Sequence, residues 1–414
     1  MKSRLKVYVK GHTLRKGYYM KVYMDNAATT KTSKAAVEAM MPFFDKFYAN
    51  PSSLHTPGQK AAEKLFEARA EVAACLGARP DEIYFTSCGS ESDNQALHSA
   101  AFYGAKKNKK HIISTTVEHH AILHTLKKLE SEGYEVTLLP TDEFGGVTAE
   151  QVEKAIRPDT CLVTVMYANN EIGTINPIRE IGEVCRKHKV VFHTDAVQAV
   201  GHIPVNAELD NIDMLSLSAH KFHGPKGVGV LYVKKGVPLA SFIEGGAQER
   251  GKRAGTENLA GIWGMTVALK NAVEHLPENM KKMERLRNRL IDGLSAIPHS
   301  ILNGSREHRL PGNVNFIFEG IEGESMLLLL DEKGVCASSG SACTSGSLDP
   351  SHVLLAIGRP HEIAHGSLRL TLSEETTDED VDYVLSVLPP IVQYLRNMSP
   401  LWRDKITGKK PFTI

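Results

Sequence analysis

Short β-branched runs alternate with stretches of helical spacing between Tyr84 and Tyr232, and this alternation is the feature that most limits the possible folds. It is typical of a largely parallel sheet with helices on both faces. Ligands of such sheets bind at the carboxyl ends of the strands, so we look for functional residues there. The strand candidates are EIYFTS, HIISTTV, EVTLLP, CLVTVMYA, VVFHTD, DMLSLSA and GVGVLYV.

The pattern changes after Pro277. Apolar residues recur every three or four positions from Met283 to Ile297, which indicates one face of a helix. A strand candidate (NVNFIF), a helix (GESMLLLLDEKG), a Gly/Ser-rich segment and a second strand (SLRLTLS) follow, and they predict a smaller α+β domain. The expected division is a poorly ordered basic lead-in (1–20), a large α/β domain (21–276) whose first part packs with the small domain, the small α+β domain (277–402) with a cysteine segment at 337–350, and a basic tail (403–414).

The composition is that of an ordinary globular protein. The chain has 414 residues, 42% hydrophobic and 23% charged, with a net charge of +1, so no overall field attracts nucleic acid or anionic lipid. The longest apolar run, Met326 to Leu330, is too short to cross a bilayer, and the first twenty residues lack the apolar stretch of a secretory signal. We therefore expect a cytoplasmic protein with no membrane partner and no direct nucleic-acid partner.

The basic lead-in has two interpretations. It is either an arm that binds RNA or another partner, or it has no such role and is a disordered lead-in or upstream sequence ahead of a start at Met20. We favour the second interpretation, since terminal segments are commonly loosely held. The cysteines Cys75, Cys161 and Cys185 lie among apolar residues and are interpreted as small core side chains rather than disulfide partners.

Lys221 follows a strand and precedes a Gly-rich turn in SAHKFHGPKG. A lysine that forms a Schiff base must be partly desolvated so that its amine is neutral often enough to attack. A surface lysine in a turn is the alternative. Asp195 ends the buried strand VVFHTD, where a carboxylate can keep a pyridine nitrogen protonated. A helix N-cap is the alternative for Asp195.

Gly89 and Ser90 lie where a strand turns into a helix, and the N–H groups of a helix start can hold a phosphate. Ser218 and His220 could add donors, although simple turn chemistry explains the same residues. His119, in TTVEHHAIL, could stack on a cofactor ring and transfer protons near neutral pH. A structural histidine is the alternative, and no Cys/His set has zinc spacing.

Cys343 lies in ASSGSACTSGSLDP, a run of small residues that cannot pack a core and predicts a mobile loop. An exposed cysteine there is available as a nucleophile, and the alternative is an incidental thiol. Arg369, within the strand candidate SLRLTLS, could bind a substrate carboxylate through two parallel hydrogen bonds, with a surface ion pair as the alternative.

Together these segments resemble the cysteine desulfurases, a branch of the class-V aminotransferase-like enzymes that use pyridoxal 5'-phosphate (PLP). The resemblance runs from about Val22 to Trp402 and implies a fold-type I PLP-dependent transferase. The matching motifs, in family order, are YMDNAATT, NPSSLH, FTSCGSESDN, EHHAIL, NNEIGT, HTDAVQAVG, SAHKFHGPKG, GGAQERGKRAGTEN, SSGSACTSGSL and SPLW. The lead-in and the last dozen residues have no recognised counterpart, which leaves the docking partner of the tail open.

The resemblance implies a role for each candidate. Lys221 forms the Schiff base, His119 stacks on the ring and acts in catalysis, and Cys343 carries the persulfide. The other residues implied to bind the cofactor are Asp195 at the ring nitrogen, Asn170 and Gln198 at the ring oxygen, Gly89, Ser90, Ser218 and His220 at the phosphate, and Thr256 reaching the phosphate of the other subunit of a homodimer. Arg369 and Asn170 are implied to bind the substrate.

The implied reaction converts L-cysteine to L-alanine through an enzyme persulfide. The sulfur goes to an iron–sulfur scaffold protein or another acceptor, tRNA thiolation included. The local sequence at Cys343 matches the long-loop branch, which serves general iron–sulfur assembly or nitrogenase maturation. No resident metal is expected, although Cys343 could ligate an iron–sulfur cluster transiently.

Two other functions are compatible with parts of the sequence. An aminotransferase or selenocysteine lyase would use Lys221 and Asp195 equally well, and only the segment around Cys343 separates it from a desulfurase. A binding protein of sulfur trafficking without catalysis is the other class, and the joint presence of Lys221, Asp195, His119 and Cys343 argues against it. Keto-acid production would indicate the first alternative, and a protein that stays colourless with PLP the second.

Overall fold

The computed structural model describes residues 8–9, 12–13, 22–339 and 350–414. The strands are β1 (Tyr8–Val9), β2 (His12–Thr13), β3 (Val22–Tyr23), β4 (Ile83–Thr86), β5 (His111–Thr115), β6 (Glu135–Leu139), β7 (Thr160–Thr164), β8 (Val191–Asp195), β9 (Met214–Ser218), β10 (Gly229–Val233), β11 (Ser300–Leu302), β12 (Asn313–Phe318), β13 (Val335–Cys336) and β14 (Ser367–Thr371). The helices are α1 (Lys34–Met40), α2 (Pro42–Asp45), α3 (Thr56–Cys75), α4 (Gly89–Ala105), α5 (His120–Ser131), α6 (Ala149–Ala155), α7 (Ile178–His188), α8 (Gln248–Gly251), α9 (Leu259–Glu274), α10 (Leu276–Ser295), α11 (Gly323–Glu332), α12 (His352–Ala356), α13 (His361–Ala364), α14 (Asp378–Met398) and α15 (Pro400–Ile406).

The central sheet has seven strands in the order β4-β10-β9-β8-β7-β5-β6. Strand β10 runs antiparallel to both of its neighbours, and the pairs from β9 through β6 are parallel. Strands β5, β7 and β9 are buried along their whole length, because helices cover both faces, and such strands are near-continuous apolar runs. The predicted α/β class and all seven strand candidates are confirmed.

Parallel strands bring polar residues to one edge of this sheet. Strand β8 ends at Asp195 and β9 at Ser218, and β5 leads through a short turn to His119. Because their carboxyl ends share one edge, residues distant in the chain meet there.

The remaining strands form a smaller antiparallel sheet in the order β11-β12-β14. Helices α10, α11 and α14 pack on it around a separate apolar core that includes Leu290, Phe316, Met326 and Val384. Arg369 lies in the middle of β14, opposite Asn315 on β12.

The segment that follows β3 connects the two sheets. Strand β3 pairs in parallel with β13, and Met24 is buried in the core of the smaller sheet. A few residues later the chain contacts the large sheet: the Thr30 N–H donates to His220 O (2.9 Å) and the Ser33 N–H donates to His223 O (2.9 Å). The intervening residues therefore lie between the two cores.

Cys161 and Cys185 are buried and Cys75 is half-buried, and none of the cysteines in the described ranges is in a disulfide. Helix α15 continues to Ile406, into the range interpreted as a basic tail. No helix in the part of the chain that the structure describes has the length and hydropathy to cross a membrane. Most of the lead-in, and Cys343 with the predicted loop around it, lie outside the described residues.

Candidate active site

A pocket of about 340 Å³ opens at the carboxyl edge of the large sheet and reaches the small domain. Its volume is in the range of small-molecule sites. The predicted site residues in its lining are Gly89, Ser90, His119, Asn170, Asp195, Gln198, Ser218, His220, Lys221 and Arg369. Thr256 is not among the described residues that line it, and Cys343 lies outside the described residues.

Lys221 ends the short turn that follows β9. Its Nζ donates to the backbone oxygens of Ala27 (2.6 Å) and Ala28 (2.9 Å), and Gln198 Nε2 also donates to Ala27 O (3.0 Å). On the other side, His202 Nε2 donates to the backbone oxygen of Lys221 (2.9 Å). The amine is thus held at the pocket wall by the segment that connects the two sheets.

Asp195 combines the two roles that the sequence left open. Its Oδ1 accepts the Val197 N–H (2.9 Å), as a capping carboxylate does, and its side chain also faces the pocket. Burial raises the pKa of Asp195, while the neighbouring His119 and Lys221 lower it. A buried carboxylate beside these basic groups suits a protonated group of a bound ligand.

His119 is the N-cap of α5, and its Nδ1 accepts the Ala121 N–H (3.1 Å). The hydrogen of the neutral ring is therefore on Nε2. Ligand atoms of His119, Asp93 and Asp195 all lie within 4.8 Å of one another. A proton on the ring is consequently close to two buried carboxyl groups.

Helix α4 begins at Gly89, so the first N–H groups of the helix lie at the pocket. A Cβ at Gly89 would lie 2.6 Å from Val197 Cγ2, so a larger residue there would require Val197 or the start of the helix to shift. Burial, followed by the charges of Lys221 and Lys226, lowers the pKa of His220 to about 4. His220 is therefore neutral near pH 7 and can donate one hydrogen bond to an anion.

Arg369 is held from two directions. Its Nη1 donates to Asn170 O (3.0 Å), and its Nη2 lies 3.2 Å from Asp25 Oδ1. Its Nε is buried and has no hydrogen-bond partner among the described residues. Arg369 is therefore neither a surface residue nor fully satisfied by the protein.

Three buried carboxyl groups beside the pocket were missed by the sequence reasoning: Asp93, Glu118 and Glu171. Burial raises the pKa of Glu118 to about 8 and that of Glu171 to about 7. Glu171 accepts a hydrogen bond from Ser351 Oγ (2.5 Å), the second described residue after the segment that holds Cys343. All three residues lie within quoted motifs, but nothing in a linear pattern indicates that a carboxylate is buried.

The family described as Aminotransferase class-V matches residues 22–384. "Cysteine desulfurase IscS" of Clostridium botulinum is 55% identical over 392 residues, which cover 94% of this chain and 98% of the relative. The chain belongs to the cysteine desulfurases within the class-V aminotransferases. The predicted family is thereby confirmed.

Two solved structures place this cysteine desulfurase among known folds. A "NIFS-LIKE PROTEIN" is 41% identical with a TM-score of 0.86, and the alignment covers 91% of this chain and 100% of the other. A structure titled "SspA in complex with cysteine" is 38% identical with a TM-score of 0.75, and covers 86% of this chain and 100% of its own. The likeness therefore extends over most of the chain.

Proposed function

We propose that this cysteine desulfurase uses PLP to convert L-cysteine to L-alanine and passes the sulfur to the thiol of Cys343. The convergence of Lys221, Asp195 and the N-terminus of α4 on one pocket carries the proposal. These are an amine, a buried acid and a set of free N–H groups, which suit the aldehyde, the ring nitrogen and the phosphate of PLP. The names of the relatives favour a desulfurase over an aminotransferase on this scaffold.

The pocket has the polar groups that such a cofactor and substrate require. Asp93 Oδ1 and Arg369 Nε line it and are buried. Neither atom has a hydrogen-bond partner among the described residues, and His193 Nε2 lies 3.7 Å from Asp93 Oδ1. Buried polar groups without partners are costly, so their presence indicates a ligand. Bound PLP would supply an electron-withdrawing ring for the substrate's α-carbon.

Each residue then has a task. Lys221 Nζ would hold the cofactor and carry the α-proton, and Asp195 would keep the ring nitrogen protonated. His119, whose neutral ring has its hydrogen on Nε2, would donate or accept a proton beside the ring. Asn170 and Gln198 would hold the ring oxygen, and Arg369 with Asn170 would bind the substrate carboxylate. The phosphate would be held by Gly89, Ser90, Ser218 and His220.

The sulfur transfer itself belongs to Cys343. Its thiolate attacks the sulfur of the bound substrate, an S–S bond forms and the C–S bond breaks. The electron pair of the broken bond stays with the three-carbon fragment, which takes up a proton and leaves as alanine. A reducing compartment such as the cytoplasm keeps the Cys343 thiol available.

The proposal is tested by incubating the enzyme with labelled L-cysteine and measuring the mass of the Cys343 peptide. One added sulfur on this peptide, with one alanine released, is the expected result. Cys343→Ala should retain bound cofactor but release no alanine. Cys75→Ser, at the end of α3 and outside the pocket lining, is the matched control and should behave as wild type. Sustained alanine release by Cys343→Ala without another thiol, or keto acid as the main product, would contradict the proposal.

We further propose that the enzyme is a homodimer in which Thr256 of the partner subunit completes the phosphate site. Thr256 lies outside the described lining of the pocket in its own chain. Large apolar side chains are exposed on and around α1 to α3, namely Met41, Phe44, Tyr48, Leu54 and Phe66, and such patches are typical of interfaces.

The sulfur acceptor is proposed to be an iron–sulfur scaffold protein, in keeping with the named relatives. A second acceptor would be a tRNA-thiolation protein.

A further inference from the structure

Asp25 contacts Arg369 from outside the pocket. Its Oδ1 lies 3.2 Å from Arg369 Nη2 and accepts the hydroxyl hydrogen bond of Ser338 (2.8 Å). Arg369 and Asn170 line the pocket, whereas Asp25 is not among the described lining residues. Asp25 therefore does not stand where a substrate carboxylate would bind, and it contacts the guanidinium from the protein side.

Two bonds determine the direction of the guanidinium plane. Arginine has five N–H donors in a rigid plane. Nη1 is bonded to Asn170 O and Nη2 to Asp25, so two of the three nitrogens are held at separate points. The unpartnered Nε–H consequently has a defined direction as well. A carboxylate that arrives in the pocket meets an arginine that is already oriented.

We propose that Asp25 is a positioning residue that orients Arg369 for the carboxylate of the substrate. The proposal rests on the assignment of Arg369 as the substrate-carboxylate site. With only 3% of its side chain exposed, Arg369 has little water to compensate its charge, so the carboxylate of Asp25 also stabilises the buried cation.

The backbone of Arg369 also holds Ser338, which precedes Cys343 in the sequence. Ser338 and Arg369 exchange two backbone hydrogen bonds: the Ser338 N–H donates to Arg369 O (3.2 Å) and the Arg369 N–H donates to Ser338 O (2.6 Å). Ser338 precedes Cys343 by five residues in the sequence. The hydroxyl of Ser338 therefore braces Asp25, and its removal should weaken the positioning without removing the charge.

The experiment compares L-cysteine with cysteamine, which differs from it only in lacking the carboxylate. Steady-state kinetics and absorbance titrations of the bound cofactor are measured on the holoenzyme for Asp25→Asn, Ser338→Ala, Arg369→Ala and the control Asp81→Asn. Asp81 is half-exposed on the surface and outside the pocket lining.

We expect Asp25→Asn to raise KM for L-cysteine roughly tenfold with kcat within about twofold, since one charge-assisted hydrogen bond is lost. Ser338→Ala should raise KM in the same direction by about threefold, because only a neutral hydrogen bond is lost. The affinity for cysteamine should be unchanged in both variants, and Asp81→Asn should match wild type. If Asp25 had a merely structural role, its replacement would weaken the binding of both ligands alike.

An unchanged or lowered KM in Asp25→Asn overturns the proposal, as does an equal loss for cysteamine. If Asp25→Asn does not fold, an unchanged KM in Ser338→Ala overturns it instead. Arg369→Ala distinguishes a failure of the positioning role of Asp25 from a failure of the carboxylate site itself. A loss specific to L-cysteine in Arg369→Ala, without one in Asp25→Asn, refutes the positioning role alone. An equal effect of Arg369→Ala on both ligands refutes the carboxylate site itself.

Discussion

Asp93 and Asp195 direct carboxylate oxygens into one buried space, within 4.8 Å of each other and of a ring nitrogen of His119. Two adjacent buried carboxyl groups do not both ionise readily. Burial, followed by the charge of Asp195, raises the pKa of Asp93 well above its usual range. The pKa of Asp195 is also raised by burial, but His119 and Lys221 partly offset this effect. Because these basic groups favour the ionised form of Asp195, we expect Asp195 to carry the charge and Asp93 the proton.

This distribution predicts opposite outcomes for two isosteric variants. Asp195→Asn should lower PLP affinity roughly tenfold or more, because it removes the charge-assisted hydrogen bond that we propose Asp195 makes to the ring nitrogen. Asp93→Asn replaces a neutral acid by a neutral amide and should stay within about threefold of wild type. Equilibrium dialysis of the cofactor measures both. A larger loss in Asp93→Asn than in Asp195→Asn would reverse the assignment.

The raised pKa of Glu118 predicts that the stability of the protein depends on pH. Burial raises its pKa in the folded protein from 4.5 to about 8. Between these values the folded protein keeps a proton that the unfolded chain has lost, so the free energy of unfolding falls as pH rises, by up to about 1.4 kcal/mol per unit from this residue. Above about pH 8 both states are ionised and the contribution stops changing.

Glu118→Gln removes this titration, so its stability relative to wild type should increase with pH across that window. Urea unfolding at successive pH values measures the difference. Glu130→Gln, on an exposed position of α5, is the control and should give a constant difference. A difference for Glu118→Gln that does not change with pH would show that the carboxyl ionises at its ordinary value.

The close packing at Gly89 predicts how sensitive the proposed phosphate site is to one added methyl group. A Cβ there would lie 2.6 Å from Val197 Cγ2, so Gly89→Ala must displace the start of α4 or Val197. Overpacking of this kind should weaken PLP binding about tenfold or more. Gly146→Ala is the matched control, since its added Cβ would be 3.5 Å or more from every neighbour. Cofactor dissociation rates that are equal in both variants would argue against a phosphate site at α4.

The proposed role of Thr256 across the dimer interface predicts complementation between subunits. In a mixed dimer of Lys221→Ala and Thr256→Ala chains, a Thr256 that acts across the interface leaves one site with both defects and the other with none. Such mixtures should regain about half of wild-type activity per mixed dimer, because activity then resides in one of two sites. A Thr256 that acts in its own chain would leave both sites defective, and mixing would restore nothing.

The tail contains a buried ion pair that predicts a large loss of stability when broken. Lys405 Nζ lies 2.7 Å from Glu319 Oε1, and the side chains are 3% and 0% exposed. Glu319 also accepts the N–H groups of Thr413 and Ile414. Lys405→Met leaves a buried carboxylate unpaired and should cost about 3–5 kcal/mol of unfolding free energy.

Urea unfolding measures this cost, and Lys409→Met is the control. The Lys409 side chain is 74% exposed, so its replacement should change stability by no more than about 0.5 kcal/mol. The double variant Glu319→Gln/Lys405→Met should recover part of the loss, since no buried charge is then left unpaired. Glu362, the other carboxylate near Lys405 Nζ (3.2 Å), is half-exposed. Equal effects of Lys405→Met and Lys409→Met would show that the tail does not hold its buried pair in solution.

Local pattern predicted much of what forms the site. The strands that end at Asp195 and Ser218 and the helix that begins at Gly89 are coded by apolar runs and small residues close in sequence. Once those strands are parallel, their carboxyl ends must share an edge, so the pocket lining around Lys221 followed from the order of elements.

Other features depended on contacts between residues far apart in the chain. Asp25 and Arg369 are separated by 344 positions, and no local pattern pairs them. The ionisation of Asp93, Glu118 and Glu171 depends on desolvation, which arises only when residues distant in the chain pack around them. The sequence by itself determined the elements, their order and the chemical groups at the strand ends. The tertiary structure alone decided which of those groups are buried, which are paired and which are left to bind a ligand, because burial and pairing are properties of packed surfaces.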